Sequence, residues 1–296
     1  MITRRRFAES AGMALVGLGL AGRARGQQGG APLERLGKDV RRIEGEAGGR
    51  LGVAVLDTGS GDRFEHRAGE RFPMCSTFKL LAAAAVLARV DAGEEKLDRR
   101  IAFEAKQLVE YSPVTEHRVG SSGMSIEELC AAAMTISDNT AANLLVASLG
   151  GPAGVTSFAR LLGDMVTRLD RIEPDLNEGA PDDPRDTTSP AAMASNLRAL
   201  GLGDALSAES RKRLVGWLLG NTTGDARLRA GLPKDWRIGD KTGSGKGTTN
   251  DVAILWPPAR APVIVTAYLT ASPAEPSQRN SVLAAVGRAV ASVLVG

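Results

Sequence analysis

Two periodicities of apolar residues run along the chain, and they separate predicted strands from predicted helices. Apolar runs bounded by turn-forming residues predict strands at 51–57, 62–66, 236–243, 251–256 and 263–269. Apolar residues three or four positions apart predict helices at 33–46, 75–90, 126–135, 140–149, 155–162, 190–200, 208–219 and 281–294. The strands therefore lie towards the two ends of the chain, with most of the helices between them.

This order of elements predicts the fold class. Strands from both ends of a chain pack most simply as one antiparallel sheet, with the helices between them as an inserted domain. We predict an α+β fold: an antiparallel five-stranded sheet flanked by helices, built from both termini, with an inserted all-helical domain. The α/β domain comprises residues 27–72 and 229–296, and the all-helical domain comprises residues 73–228 and carries the loop 171–186. An active-site cleft is expected between them.

The first 26 residues have the pattern of an export signal. Arg4, Arg5 and Arg6 precede a short, glycine-rich apolar stretch at residues 11–21, which resembles a twin-arginine signal. A membrane anchor is the alternative, but the stretch is shorter than the roughly 18 residues of a stable span. We expect cleavage near Gln27, export to the periplasm or secretion, and no stable membrane anchor.

Composition and charge then limit the class of protein. Hydrophobic residues make up 43% of the chain and charged residues 24%, which are ordinary values for a globular protein. The formal net charge is +3, but the first 26 residues carry +4, so the remainder is at −1. Without a stripe of Lys and Arg interleaved with aromatic residues, we expect no nucleic-acid partner.

Candidate chemistry begins at the first helix of the predicted helical domain. Pro73 can occupy only the start of a helix, and Ser76 and Lys79 follow it three residues apart, or about 4.5 Å along a helix axis. Burial lowers the pKa of a lysine, and a neutral amine within reach can activate a serine hydroxyl. In a chain of this composition, S-x-x-K is expected to occur by chance about 0.5 times. The pair alone therefore does not establish a nucleophile.

Ser137-Asp138-Asn139 lies between two predicted helices and has two interpretations. These residue types suit a turn and a helix cap. They also suit a site in which the Ser137 hydroxyl relays a proton while the Asn139 amide donates to a substrate carbonyl. The motif alone does not choose between capping and chemistry, and both roles can coexist.

Lys241-Thr242-Gly243-Ser244 is predicted to end a strand and enter a turn. A hairpin with a lysine on an edge strand is the structural interpretation. The functional one places an ammonium and a hydroxyl against a substrate carboxylate, with Gly243 leaving room for a ligand beside the backbone. The backbone N–H groups of Ser244 and Ser76 could then form an oxyanion hole.

The loop 171–186 contains prolines, a glycine and many acids, which is typical of a compact surface loop that carries function. Arg171 and Asp186 could clamp its ends, and such a clamp matters only if it is partly buried. Glu173 and the amide of Asn177 can hold one water between them. A water held in this way could attack an ester.

The chain resembles the class A serine β-lactamases in four motifs that occur in the family's order: Ser76-x-x-Lys79, Ser137-Asp138-Asn139, Glu173-x-x-x-Asn177 and Lys241-Thr242-Gly243. The resemblance extends through segments 111–116, 137–143 and 221–227, so it covers nearly the whole predicted mature chain. The predicted fold agrees with the family's.

The resemblance implies a two-step hydrolysis of the β-lactam amide and a role in antibiotic resistance. Ser76 would attack the lactam carbonyl and Ser137 would pass a proton to the departing nitrogen. The base for Ser76 is either Lys79 or Glu173 acting through a water, and Glu173 would activate the deacylating water. The binding residues that it implies are Lys241, Thr242 and Arg227 for the substrate carboxylate, Asn139 and the Ser244 backbone for the acylamide side chain, and Tyr111 along the cleft.

No metal or cofactor is implied, and with two histidines and no paired Cys/His spacing a zinc-dependent hydrolysis is disfavoured. The implied partner is a small-molecule β-lactam, and a monomer is expected from the family.

The chain departs from the family's pattern at its cysteines and at one turn. Many members pair a cysteine in place of Ala83 with the one at Cys130, and carbapenem-hydrolysing members often pair Cys75 with a cysteine in place of Gly245. Neither partner is present, so we expect two reduced, buried thiols. The predicted turn 245–251 is also one residue shorter than in the members that it otherwise resembles.

Other functions that share part of this motif set remain as alternatives. A penicillin-binding D,D-peptidase and a non-catalytic β-lactam sensor both lack the Glu173 loop and keep the drug attached, and the sensor is normally tethered by a membrane helix. Serine-dependent glutaminases share S-x-x-K. Sustained turnover, as opposed to one persistent adduct, distinguishes a β-lactamase from the first two.

Overall fold

The computed structural model describes residues 30–295, so the predicted export signal and its cleavage site lie outside the described residues. In chain order the elements are α1 (Gly30–Ala47), β1 (Arg50–Asp57), β2 (Arg63–His66), β3 (Phe72–Pro73), α2 (Phe78–Asp91), β4 (Arg100–Ile101), β5 (Met124–Ser125), α3 (Ile126–Thr135), α4 (Asn139–Ser148), α5 (Pro152–Leu161), β6 (Thr187–Thr188), α6 (Pro190–Gly201), α7 (Ala208–Leu219), β7 (Arg237–Gly245), β8 (Thr248–Trp256), β9 (Val263–Thr270) and α8 (Pro276–Val295).

Strands from both ends of the chain form one five-stranded sheet in the order β2-β1-β9-β8-β7, and every neighbouring pair in it is antiparallel. Side chains alternate between its faces: Val53 and Val55 pack with α1 and α8, whereas Ala54 and Leu56 pack towards the helical part of the molecule. Because both faces are covered, β1 is apolar at successive positions. The predicted α+β fold with a five-stranded antiparallel sheet is confirmed.

The helical part of the molecule is centred on α2. Every side chain from Phe78 to Leu87 is buried, and α2 packs against α3, α4, α5 and α7. Small alanines allow neighbouring helices to approach on all sides, and they also favour the helix intrinsically. A 3₁₀ turn at Cys75–Thr77 leads into α2. A helix was expected from residue 75, but Ser76 lies in this turn and only Lys79 lies in the α-helix.

The predicted turn at residues 245–251 is wrong. β7 continues to Gly245, the turn consists of Lys246 and Gly247, and β8 begins at Thr248. The start of β8 is polar and therefore lacks the pattern of a buried strand. Its polar side chains are nevertheless buried, because they have hydrogen-bond partners inside the protein. The Thr248 hydroxyl, for example, lies 2.9 Å from the Thr270 hydroxyl.

Four helices begin earlier than the apolar pattern predicts: α1 by three residues, α4 by one, and α5 and α8 at a proline. α5 starts at Pro152 and α8 at Pro276, three and five residues before the predicted starts. Proline is tolerated in the first turn of a helix, where its missing N–H costs nothing. Within residues 30–295 no single helix is long and apolar enough to span a membrane, although α4 and α5, bent by 71°, pass that test when counted together.

Candidate active site

Ser76 is held in a turn that two other parts of the chain fix in place. Cys75, directly before it, is buried with a positive φ of 44°, which is costly for a non-glycine residue and needs support from its surroundings. The Asn250 amide on β8 donates to the carbonyls of Pro73 and Met74, at 2.8 and 3.1 Å. A side chain at Gly243 would lie 2.7 Å from the Met74 carbonyl, so glycine lets β7 run against this turn.

Ser76, Lys79 and Glu173 meet at one carboxylate oxygen. Ser76 Oγ donates to Glu173 Oε1 at 2.9 Å, and Lys79 Nζ lies 3.1 Å from the same atom. The side chains of Lys79 and Glu173 are both 0% exposed. Burial lowers the pKa of Lys79, and the neighbouring Glu173 charge opposes that shift. The hydroxyl of the partly buried Ser76 therefore faces a fully buried carboxylate directly.

Ser137-Asp138-Asn139 combines a structural and a site role. Asp138 caps α4, since its carboxylate accepts from the N–H of Ala141 at 2.8 Å, and it also holds the Thr115 hydroxyl at 2.9 Å. Ser137 has a positive φ of 65°. Its hydroxyl lies 3.3 Å from Lys79 Nζ. The capping interpretation thus belongs to Asp138, while Ser137 is turned towards the lysine.

Asn139 is a further hydrogen-bond partner of Lys79. Its Oδ1 accepts from Lys79 Nζ at 2.6 Å, and its Nδ2 donates to the Glu110 carbonyl at 2.9 Å. One of its two amide protons is therefore already used within the protein. Tyr111, whose carbonyl accepts from the Asn139 N–H at 3.0 Å, exposes 55% of its surface at the edge of this group.

A second cation approaches Ser137 from β7. Lys241 Nζ donates to Ser137 Oγ at 3.0 Å and to the Thr242 carbonyl at 2.9 Å. Burial lowers the pKa of Lys241 well below its usual value, and the positive charges of Lys79 and Arg227 lower it further. Thr242, next along the strand, is also buried.

Arg227 lies against the outer part of β7. It donates to Ser244 Oγ at 2.6 Å and to the carbonyls of Gly243 and Asn250, at 2.9 and 2.6 Å. Burial lowers the pKa of Arg227, although a guanidinium remains charged. Lys79 and Lys241 thus contact Ser137 and Arg227 contacts Ser244, so three buried basic side chains line this part of the site, which suits a substrate that carries a carboxylate.

The two ends of the loop that carries Glu173 are joined by hydrogen bonds. Arg171 Nε donates to Asp186 Oδ2 at 2.6 Å, and Asp186 Oδ1 accepts from the N–H groups of Asp170 and Arg171 at 2.8 and 2.9 Å. Asp186 is 1% exposed and Arg171 18%, so the pair is largely buried. Within the loop, Asn177 Nδ2 donates to Glu173 Oε2 at 2.5 Å.

Asn143 fixes Glu173 and was not among the predicted site residues. Its Nδ2 donates to the Glu173 carbonyl at 2.8 Å and its Oδ1 accepts from the Glu173 N–H at 2.9 Å. It lies four residues after Asn139 on α4, so both face the same side of that helix. That spacing is the sequence signal that could have identified it.

The two thiols are free and buried. Burial raises the pKa of Cys75 to about 12, and it also raises the pKa of Cys130. A side chain at Gly245 would lie 2.9 Å from Cys75 Sγ and 3.1 Å from the Asn177 carbonyl, so β7 and the Glu173 loop are in close contact there.

Among residues 30–295, no group of three or more His, Cys, Asp or Glu side chains is arranged to hold a metal ion.

The chain is similar to known proteins along nearly its whole length. A family model described as the β-lactamase enzyme family matches residues 35–294. β-Lactamase CTX-M-8 of Citrobacter amalonaticus is 50% identical over 267 residues, which cover 88% of this chain and 91% of that protein. β-Lactamase L2 of Stenotrophomonas maltophilia is 48% identical, with 100% of both chains covered.

The solved structures agree with the sequence relatives. An ancestral class A β-lactamase, GNCA, superposes with a TM-score of 0.86 at 63% identity, covering 87% of this chain and 99% of that one. A structure of the last common ancestor of Gram-negative bacterial class A β-lactamases, GNCA4, gives 0.86 at 62% identity and covers 88% and 99%. The fold, the serine-centred site and these similarities lead to one conclusion: this chain belongs to the class A β-lactamases, a family of serine hydrolases.

Proposed function

We propose that the enzyme opens the β-lactam ring of penicillins and cephalosporins through an acyl-enzyme on Ser76, and that a water activated by Glu173 hydrolyses this intermediate. The observation that carries the proposal is the contact of the Ser76 hydroxyl, 2.9 Å from Glu173 Oε1, with Lys79 Nζ 3.1 Å from the same oxygen. A carboxylate so close to the nucleophile can act on either step.

In acylation, Ser76 Oγ bonds to the lactam carbonyl carbon and the carbon–nitrogen bond of the ring breaks. The proton of Ser76 passes to Glu173 or to Lys79, and both lie in one hydrogen-bonded group. The Ser137 hydroxyl would give a proton to the departing nitrogen and recover one from Lys79, whose Nζ lies 3.3 Å from Ser137 Oγ.

Hydrogen-bond donors and basic side chains on β7 and beside it would stabilise the negative charges of the substrate and of the transition state. The backbone N–H groups of Ser76 and Ser244 would donate to the carbonyl oxygen, because Gly243 brings the strand close to the Ser76 turn. Lys241, Thr242 and Arg227 would bind the substrate carboxylate. The Asn139 amide and the Ser244 backbone would bind the acylamide side chain.

Deacylation needs a water beside the ester and a base to take its proton. Glu173 supplies the base, and Asn177 is bonded to it at 2.5 Å. Asn177 Oδ1 is buried and accepts no hydrogen bond from the described protein groups, so it can accept one from a water. The water would attack the acyl carbon, its proton would go to Glu173, and Ser76 would leave with that proton.

A penicillin-binding peptidase or sensor would keep the drug attached, because it lacks a carboxylate at the position of Glu173. The proposal also includes export through the twin-arginine-type leader, action as a monomer in the periplasm or after secretion, and protection of the producing bacterium from β-lactams.

The test is turnover of a chromogenic cephalosporin by protein that starts at Gln27, with intact mass recorded during the reaction. Sustained hydrolysis with a transient gain of mass is the expected result. One stoichiometric, persistent adduct would indicate a penicillin-binding function instead, and no adduct at all would contradict acylation of Ser76.

A further inference from the structure

The Thr242 hydroxyl is already engaged by a residue that the proposed mechanism leaves unused. Thr223 lies in the loop after α7, is half-buried, and has its Oγ1 2.5 Å from Thr242 Oγ1. Either hydroxyl can donate in such a pair, so the distance alone does not locate the proton. The surroundings of Thr223 do.

Asn221 is oriented by a group whose hydrogen-bonding role is fixed. The Thr223 backbone N–H, which can only donate, lies 3.1 Å from one end of the Asn221 amide, so that end is the oxygen. The other end, Nδ2, then donates to Asp240 Oδ2 at 2.5 Å. Asn221 therefore presents an acceptor to the Thr223 hydroxyl, 2.8 Å away.

The protons of the two threonines follow from this orientation. Each hydroxyl has one proton, and Thr223 must give its proton to Asn221 Oδ1. Thr242 must then donate its own to Thr223 Oγ1. We infer that Thr223 is a positioning residue which holds the Thr242 proton away from the substrate carboxylate in the free enzyme, and so limits how strongly the site discriminates in favour of substrates that carry this group.

The consequence for binding is an exchange of hydrogen bonds. A carboxylate only accepts, so Thr242 can donate to it only after leaving Thr223. The new bond is charge-assisted and stronger than the one lost, but the net gain is smaller than that of a free hydroxyl. This inference rests on the proposed function, which places Thr242 at the substrate carboxylate.

Thr223→Val and Thr223→Ser form a matched pair for the test. Valine keeps the branched shape and removes the hydroxyl, whereas serine keeps the hydroxyl. Both are made in a Ser76→Ala background, so that the dissociation constant of intact ligand is measured without turnover. The ligands are a cephalosporin with its free carboxylate and the methyl ester of the same compound.

Thr223→Val should tighten binding of the free carboxylate about fivefold, the ratio that one net hydrogen bond gives. The ester should gain less than about twofold, because a neutral acceptor makes a weaker bond. Thr223→Ser should bind like the parent. Unchanged or weaker binding of the carboxylate by the valine variant, or equal gains for both ligands, would overturn the inference.

Neutron diffraction from perdeuterated wild-type crystals gives a second readout that needs no substitution. The deuteron of Thr242 should point to Thr223 Oγ1, and a deuteron on Thr223 pointing to Thr242 would overturn the assignment. Failure of the proposed function is distinguishable from both results. In that case the wild-type enzyme would keep a persistent adduct from a cephalosporin or gain no mass at all, whatever the state of Thr223.

Discussion

The largely buried ion pair between Arg171 and Asp186, which joins the two ends of the Glu173 loop, gives a quantitative prediction for Asp186→Asn. The substitution keeps the shape of the side chain. Oδ1 can continue to accept from the two backbone N–H groups. The new amide nitrogen then replaces Oδ2, the atom that accepts from Arg171 Nε at 2.6 Å in the wild type, so two donors face each other. Breaking a buried, hydrogen-bonded ion pair costs about 3–5 kcal/mol.

We take the lower end, about 3 kcal/mol, because Arg171 is 18% exposed and keeps a second partner in Glu178. For a chain of this size each kcal/mol lowers Tm by about 2–4 °C, so Asp186→Asn should lower Tm by about 6–12 °C. Glu173, on the same loop, loses its fixed position. Deacylation should therefore slow more than tenfold, and acylation less.

Glu178→Gln is the matched control, since it removes the other partner of the same arginine. Glu178 is 59% exposed, and an exposed ion pair contributes about 0–1 kcal/mol. Its Tm should therefore fall by less than about 4 °C. Calorimetry and burst kinetics with a chromogenic cephalosporin measure both effects. Equal losses in the two variants, or normal deacylation in Asp186→Asn, would refute the reasoning from burial.

Two further predictions concern the cation on β7 and the support of Glu173. Because the pKa of Lys241 is lowered well below its usual value, its charge is lost as pH rises through that lowered pKa, so kcat/KM for carboxylate-bearing substrates should fall on the alkaline side. In Lys241→Arg the side chain stays charged at alkaline pH, so the alkaline fall in kcat/KM should be absent from its pH profile. A profile identical to that of the wild type would assign the fall to another group. Asn143→Ala removes two hydrogen bonds to the Glu173 backbone and should lower the free energy of unfolding by about 2 kcal/mol. It should also slow deacylation more than acylation, and an equal slowing of both steps in single-turnover kinetics would contradict the positioning role of Asn143.

Much of the fold was predictable because its periodicities are strong. Helices α3 and α7 begin and end at the predicted residues, since each has an apolar face and a capping serine before its first turn. The start of β8 was not predictable, because Thr248 and Thr249 are buried among polar partners. The two-residue pairing of β3 with β6 has no local pattern, since it joins segments more than 100 residues apart.

The candidate site was predictable as a set of motifs but not as a geometry. Ser76 and Lys79 were placed on one helix by their spacing, whereas the structure divides them between a 3₁₀ turn and α2 and joins them through Glu173. Asn143 and Thr223 reach their partners 30 and 19 residues away along the chain. No short-range pattern indicates such contacts. The catalytic and binding roles assigned to the motif residues remain predictions.

The most direct test of the account is the fate of Glu173→Gln with a cephalosporin. The variant keeps the shape of the side chain and removes its capacity to act as a base. We predict that time-resolved intact mass shows one covalent adduct on the enzyme that persists for many wild-type turnovers, and that the added Ser76→Ala substitution abolishes it. Normal turnover by Glu173→Gln, with no accumulated adduct, would contradict the proposed role of Glu173 in deacylation.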